Sequence, residues 1–118
     1  MTDARLIHAG DIHMVDLDPI RGSEQSGIRP VVVISSDLMH LKSKRIIFCP
    51  ITGNMDIWTT KVPLPDDAKT SGMVLTDQVR AVDRQERVLR YVETLVPEFV
   101  TLVRSYAGRL LELEVRQP

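Results

Sequence analysis

The sequence has very little cysteine: a single residue, Cys49, among 118. One cysteine cannot form an internal disulfide, and without a CxxC pair it cannot begin a cysteine-rich zinc site. The three histidines, His8, His13 and His40, also lack the carboxylate or cysteine spacing of a zinc site. We therefore expect Cys49 to be a small core residue, the histidines to have structural roles, and the protein to use no metal or other cofactor.

Long hydrophobic runs are missing as well. The longest, such as residues 31–34 and 100–103, are far shorter than the roughly 20 apolar residues that cross a bilayer. The first six residues do not show the basic and then apolar pattern of a signal peptide. These features predict a cytoplasmic protein with no membrane partner.

There is little net charge, but the charge is unevenly distributed. The whole chain carries −1, whereas residues 20–90 contain 11 Lys and Arg against 8 Asp and Glu. A polyanion could bind this middle region, although a solvated surface of mixed charge explains the same count equally well.

A hydrophobic fraction of 43% and a charged fraction of 26% are typical of a folded globule. The length predicts one domain over residues 1–118, without internal repeats or a linker. Short apolar or alternating stretches predict strands, and a polar loop separates the first two of them at residues 18–27. The predicted strands are residues 11–17, 30–35, 45–51, 59–64, 73–82 and 87–93, with one helical turn at 37–43.

The hydrophobic period changes only near the carboxyl terminus. After Pro97, which is tolerated in a first helical turn, apolar side chains recur at helical spacing. They are Phe99, Leu102, Val103, Tyr106, Leu110 and Leu113. Several short strands followed by one helix predict a mainly β fold, in which a helix packs on a small, strongly curved antiparallel sheet or barrel.

Four ordered sequence blocks are more specific than these patterns. They are GDIHMVDLDPIRGSEQSGIRPVVVIS at residues 10–35, CPITGN at 49–54, KVPLP at 61–65 and VLTDQVRAVD at 74–83. Their content and order resemble the MazF/PemK toxins, and the resemblance covers most of the chain. It implies an SH3-like barrel that forms a homodimer. It also implies cleavage of single-stranded RNA at short motifs, to a 2′,3′-cyclic phosphate and a 5′-hydroxyl, with inhibition by a cognate antitoxin.

In that family, the residues that match Arg29 and Thr52 are implicated in catalysis. The chemistry is physically reasonable, because a guanidinium can bind two phosphate oxygens at once and a hydroxyl can donate to the same phosphate or relay a proton. An arginine is a poor base at neutral pH, so stabilisation of the transition state is its expected role. Without the resemblance, Arg29 would be read as a surface ion pair with Glu24 or Asp77, and Thr52 as a turn residue.

Glu24 is a candidate general base, or a group that positions the ribose hydroxyl. It lies between Gly22 and Gly27, which suit a segment that moves over a ligand, although a solvated loop carboxylate is an equally good reading. Further RNA-binding candidates are Ser23, Gln25, Lys61, Asp77, Gln78 and Arg80. For Asp77, a structural network is a competing role. Lys42, Lys44 and Arg45 could follow the RNA backbone or could simply be solvated.

Two departures from the family narrow the mechanism. The PemK/Kid branch uses a histidine where this chain has Ser23 and an arginine where it has Leu75, so a mechanism that needs those side chains cannot operate.

Trp58, the only tryptophan, is read as a partner contact in preference to a base-stacking residue. The rivals are a CcdB-type gyrase poison, disfavoured by the ending VRQP in place of Trp-Gly-Ile, and a binding module that does not cut RNA.

Overall fold

The computed structural model describes residues 6–18 and 22–113. Residues 19–21 of the predicted loop lie outside the described residues. The strands are β1 (Asp11–Asp16), β2 (Ile28–Val33), β3 (Arg45–Thr52), β4 (Lys61–Pro63), β5 (Met73–Leu75), β6 (Arg80–Asp83) and β7 (Val88–Thr94). The helices are α1 (Asp37–Lys42), α2 (Arg84–Arg87) and α3 (Pro97–Leu110). No helix in the described part of the chain is long and apolar enough to cross a membrane.

The strands form one curved antiparallel sheet in the order β4-β5-β3-β2-β1-β7, with β6 also paired to β3. β3 is central because it pairs with β2 along one edge and with β6 and then β5 along the other. The predicted mainly β fold with a carboxyl-terminal helix is confirmed. Within the described residues the curved sheet is not closed into a barrel by strand pairing.

Side chains alternate across the sheet and build two hydrophobic cores. One face buries residues that include Val31, Phe48 and Val82. The other face buries Val32 and Cys49, and helix α3 packs against it. Cys49 is 0% exposed, so its predicted core role is confirmed.

Helix α3 forms as predicted, but the predicted buried face is only partly right. Phe99 and Val103 are buried, together with Val100, Ala107 and Gly108. Leu102, Leu110 and Leu113 are instead 43%, 50% and 60% exposed. Val100, on this buried face, packs closely against Gly10, where an added Cβ would lie 2.9 Å from Val100 Cγ2.

All three histidines have structural partners. His13 is buried and its Nε2 lies 3.1 Å from an Asp11 carboxylate oxygen, while His40 is buried between Ser35 Oγ at 2.6 Å and the Ile7 carbonyl at 2.7 Å. His8 Nδ1 lies 3.0 Å from the Asp37 carboxylate at the start of α1. The His8 and His40 contacts join the segment before β1 to α1.

Candidate active site

The strand register brings Arg29 and Thr52 to the same face of the sheet. Val31 on β2 pairs with Pro50 on β3, and Arg29 and Thr52 lie two residues beyond this pair on their strands. Since side chains alternate along a strand, both share the face of the Val31–Pro50 pair. Extending the same register sets Arg29 opposite Thr52. This is the face away from α3.

Arg29 is exposed and held at one nitrogen. Its Nε donates a hydrogen bond to the Ser26 carbonyl at 3.0 Å. Among the described residues it forms no ion pair with a carboxylate, so the alternative pairing with Glu24 or Asp77 is not seen. The bond to Ser26 fixes the direction of the guanidinium and leaves its terminal nitrogens for a ligand.

Thr52 lies at the end of β3 and is only 7% exposed. Its Oγ1 accepts a hydrogen bond from the Asn54 backbone nitrogen at 3.1 Å. A hydroxyl that accepts one bond can still donate its own proton. The turn and catalytic readings of Thr52 are therefore compatible, because the turn orients the hydroxyl that would act on a phosphate.

Gly72, immediately before β5, approaches Thr52 closely, and no sequence pattern indicated this contact. A Cβ at Gly72 would lie 2.5 Å from the Thr52 carbonyl oxygen, and the residue has a φ of +132°. Both the close approach and the backbone conformation require glycine.

A pocket of about 280 Å³ has Pro50, two residues before Thr52 on β3, in its lining, but neither Arg29 nor Thr52. Five of its lining residues were predicted site residues: Glu24, Gln25, Asp77, Gln78 and Arg80. Leu17, Pro50 and Val79 complete the lining and carry no sequence signal beyond being apolar. The pocket combines carboxylates, amides and a guanidinium, so it offers both acceptors and donors to a ligand.

Several pocket residues also form hydrogen bonds with one another. The Gln25 backbone nitrogen donates to Gln78 Oε1 at 3.1 Å, and Arg80 NH1 donates to the Leu17 carbonyl at 2.8 Å. Asp77 is exposed. Burial, together with the negative charge of Asp77, raises the pKa of the Cys49 thiol to about 12, which makes Cys49 unsuitable as a nucleophile.

Two predicted RNA-binding residues lie apart from the pocket lining. Lys61 Nζ donates to the carbonyls of Asn54 and Asp56, at 3.3 and 3.0 Å, and so holds the loop between β3 and β4. Ser23 is exposed on the segment that precedes Glu24. Trp58, on the loop that Lys61 holds, is 63% exposed. No group of three or more His, Cys, Asp or Glu residues within residues 6–18 and 22–113 is arranged to hold a metal ion.

Comparisons with known proteins agree with this fold. Residues 8–111 match the model of a family described as PemK-like, MazF-like toxin of type II toxin-antitoxin system. A curated relative, Endoribonuclease MazF of Staphylococcus saprophyticus, is 34% identical over 86 residues, which is 67% of this chain and 70% of the relative.

Solved structures give the same result. A crystal structure of MazF from Deinococcus radiodurans superposes with a TM-score of 0.85 and 28% identity, over 92% of this chain and 99% of that one. A MazE-MazF structure from the same organism gives a TM-score of 0.78 and 26% identity, over 93% and 99%. The similarity therefore extends over the whole described fold.

Proposed function

The chain belongs to the PemK-like, MazF-like toxins of type II toxin-antitoxin systems, and from this premise we propose that it is an endoribonuclease that cuts single-stranded mRNA at short motifs and so inhibits translation and growth. The reaction is attack by an internal 2′-hydroxyl without a metal ion. Its products are a 2′,3′-cyclic phosphate and a 5′-hydroxyl. The placement of Arg29 and Thr52 on one face of the sheet, which follows from the pairing of Val31 with Pro50, is the observation that supports this proposal.

The reaction has three requirements that side chains can meet. A proton must leave the 2′-hydroxyl, negative charge must be stabilised on the phosphorane oxygens, and a proton must reach the leaving 5′-oxygen. The nucleophile is already next to the phosphorus, so a metal-activated water is unnecessary.

Arg29 stabilises the phosphorane. With Nε bound to Ser26, its terminal nitrogens approach two phosphate oxygens, and each charge-assisted hydrogen bond contributes roughly 1.5–3 kcal/mol. Thr52 donates its proton to the same phosphate while its oxygen keeps the bond from Asn54. The exposed guanidinium and the nearly buried hydroxyl thus approach one phosphate from two neighbouring strands.

Glu24 is the group we assign to the 2′-hydroxyl, as general base or as the group that positions it. It lines the pocket and is exposed. The bond from Gln25 to Gln78 holds the residue next to it at the pocket edge. A carboxylate at this point can accept a proton from a ribose hydroxyl if the ribose lies between Glu24 and Arg29.

The pocket residues read exposed bases next to the cut. Asp77 supplies an acceptor, and the amide nitrogen of Gln78 remains a donor because its oxygen is occupied by Gln25. Gln25 and Arg80 complete this surface. Ser23 and Lys61 contact the RNA on either side of these bases, and Lys61 also keeps its loop in place.

A cognate antitoxin and a second copy of the chain are the proposed protein partners. The neighbouring structures include complexes described as MazE-MazF. The exposed side chains Leu102, Leu110 and Trp58 give apolar surface that partners of this kind would cover. We place the protein in the cytoplasm, where mRNA and an antitoxin are available.

The test is incubation of the purified protein with a long unstructured RNA in excess EDTA, followed by mapping of the new ends. We expect 5′-hydroxyl ends at short recurring motifs. Arg29→Ala should cut about 10²–10³-fold more slowly, as on loss of one oxyanion-stabilising donor, and Arg109→Ala, on the opposite side of the sheet, should cut normally. Intact RNA with trapped gyrase, or intact RNA in gel-shifted complexes, would refute cleavage in favour of a poison or a binding module.

A further inference from the structure

Five basic residues lie together beyond the pocket, and the proposed cleavage reaction does not use them. They are Lys42, Lys44, Arg45, Arg84 and Arg87. We call this group the basic cluster. They come from two segments, 42–45 and 83–87, that contain only two acidic residues, Asp83 and Glu86.

The fold joins these two segments. Arg45 on β3 pairs with Asp83 on β6, and the Arg84 backbone nitrogen donates to the Lys44 carbonyl at 2.9 Å. The Arg84 guanidinium donates to the His40 carbonyl on α1 at 2.8 Å. Residues distant in sequence therefore form one basic surface at the start of β3.

The five basic and two acidic residues of these segments leave this surface with a net positive charge. The Asp83 carboxylate caps α2 by accepting from the backbone nitrogens of Gln85 and Glu86. In the described ranges, no member of the cluster forms an ion pair. Lys42, Lys44 and Arg45 are exposed, so their charges face solvent.

The Arg45 side chain, seven steps from Thr52 on β3, starts from the opposite face of the sheet, so it is Arg87 that connects the cluster to the candidate active site. Arg87 NH1 donates to the Asp16 carbonyl at 3.4 Å, and Arg80, which lines the pocket, donates to the next carbonyl, that of Leu17. Val15 on β1 pairs with Arg29 on one side and with Val88 on the other. Arg29 and Val88, the neighbour of Arg87, are thus two strand spacings apart, about 10 Å.

Resting on the proposed function, we propose that the basic cluster binds the phosphate backbone of the RNA several nucleotides from the cut, on one side of it. The strand β3 runs from the cluster at Arg45 to the site at Thr52 over seven residue steps, or about 23 Å. Because β3 itself is mostly buried between Ile46 and Thr52, the RNA crosses the surface beside it, and a single strand that covers this distance spans several nucleotides. The cluster therefore adds affinity for longer RNA without reading its sequence.

RNA fits the cluster better than an acidic protein does. Arg84 and Arg87 each use one guanidinium nitrogen on a backbone carbonyl, which fixes them and leaves further donors for phosphate oxygens. Arg80 lines the pocket, and Arg87 donates to the carbonyl that precedes the one bound by Arg80. RNA that leaves the pocket therefore meets Arg87 first. An acidic protein would use the exposed leucines of α1, Leu38 and Leu41, at the outer end of the cluster, and the test includes that outcome.

The test compares the variant Lys44→Ala/Arg45→Ala with wild type, because these two side chains are exposed and their removal spares the backbone bonds. The control Lys69→Ala/Arg109→Ala removes the same charge from exposed positions outside the cluster. Binding is measured by fluorescence anisotropy with RNA of about 20 and about 6 nucleotides. Each carries the mapped cut site, with a 2′-deoxy nucleotide that blocks attack, and salt is varied.

For the longer RNA, we expect the cluster variant to bind roughly tenfold more weakly at low salt. The slope of log affinity against log salt should fall by about 1.4, because each lost phosphate contact on a single strand removes about 0.7. The loss should be smaller for the short RNA, and the control should match wild type. Adding nucleotides on only the 5′ or only the 3′ side of the cut then shows which side reaches the cluster.

An unchanged slope in the cluster variant, with normal RNA cleavage by wild type, would overturn this inference and leave the proposed function intact. Unchanged RNA binding with weaker binding of a poly-glutamate peptide would overturn it in favour of an acidic protein partner. A wild-type protein that cuts neither RNA in its all-ribose form would refute the proposed function, and the role of the cluster with it.

Discussion

The backbone nitrogen of Gln25 donates a hydrogen bond to the side-chain oxygen of Gln78 at 3.1 Å, across 53 positions of sequence. This bond connects the segment after Glu24 to the turn between β5 and β6. Two residues predicted to bind RNA thus also hold each other. The bond gives the pocket a fixed edge before any ligand arrives.

Replacing Gln78 should release this edge. In Gln78→Ala the Gln25 amide loses its acceptor, and a bond worth about 1 kcal/mol predicts roughly fivefold faster hydrogen exchange at that amide. Gln78→Glu keeps an acceptor and should keep the protection. RNA cleavage should fall in both variants. In Gln78→Ala the pocket edge is no longer held in position, and in Gln78→Glu the added negative charge repels the RNA. Equal exchange rates at Gln25 in wild type and Gln78→Ala would contradict the role of the bond.

The position of Thr52 should depend on Gly72. An alanine there would place a Cβ 2.5 Å from the Thr52 carbonyl oxygen at a φ of +132°, and strain of this kind costs about 1–3 kcal/mol. We expect Gly72→Ala to lower both the melting temperature and kcat. Gly53→Ala is a matched control, because Gly53 is adjacent to Thr52 and a Cβ there meets nothing within 4 Å. Equal kcat in the two variants would show that Gly72 does not position Thr52.

The sequence predicted those parts of the fold that depend on local pattern. The apolar run RIIFCPI corresponds to β3, and Pro97 begins α3. Helix α2 was missed because its four residues, RQER, have no hydrophobic period. The predicted stretch 73–82 is in fact β5 and β6, which pair with different parts of β3, and no local signal marks such a division.

The candidate site follows from the sequence in its residue types, whereas much of its geometry does not. The family resemblance pointed to Arg29 and Thr52, but it could not show that Arg29 is oriented by Ser26 or Thr52 by Asn54. The support from Gly72 depends on a tertiary approach between β5 and β3. The buried face of α3 was misjudged for the same reason, since the packing of Val100 against Gly10 is also a tertiary contact.

The loop-holding and RNA-binding roles of Lys61 can be separated by experiment. Its ammonium holds the loop between β3 and β4 through the carbonyls of Asn54 and Asp56. If this support is its main contribution, Lys61→Ala should slow RNA cleavage with nearly the same salt dependence as wild type. Loss of a phosphate contact would instead lower the salt slope by about 0.7. Cleavage rates across a salt series distinguish the two, with Lys69→Ala as a control for charge.

The open ends of the sheet are joined by Glu93 on β7. Its carboxylate accepts from the Lys69 nitrogen at 3.0 Å and from the Thr70 nitrogen and hydroxyl, both at 2.7 Å. Residues 69 and 70 lie between β4 and β5, and β4 is the outermost strand at the other end of the sheet. These bonds therefore connect the two ends where strand pairing does not.

This connection should weaken in acid. Burial opposes the charge of Glu93, but the bonds from Thr70 and Lys69 outweigh it and hold the pKa below its ordinary value of 4.5. A lowered pKa means that the stabilisation is complete above the unfolded-state pKa and is lost as pH falls through the folded-state pKa. Wild type should thus melt higher than Glu93→Gln near neutral pH, and the difference should shrink below about pH 4.5. Asp67→Asn, an exposed carboxylate in the same segment, should show no such convergence. A difference between wild type and Glu93→Gln that stays constant down to strongly acidic pH would mean that the charge of Glu93 does not hold the ends together.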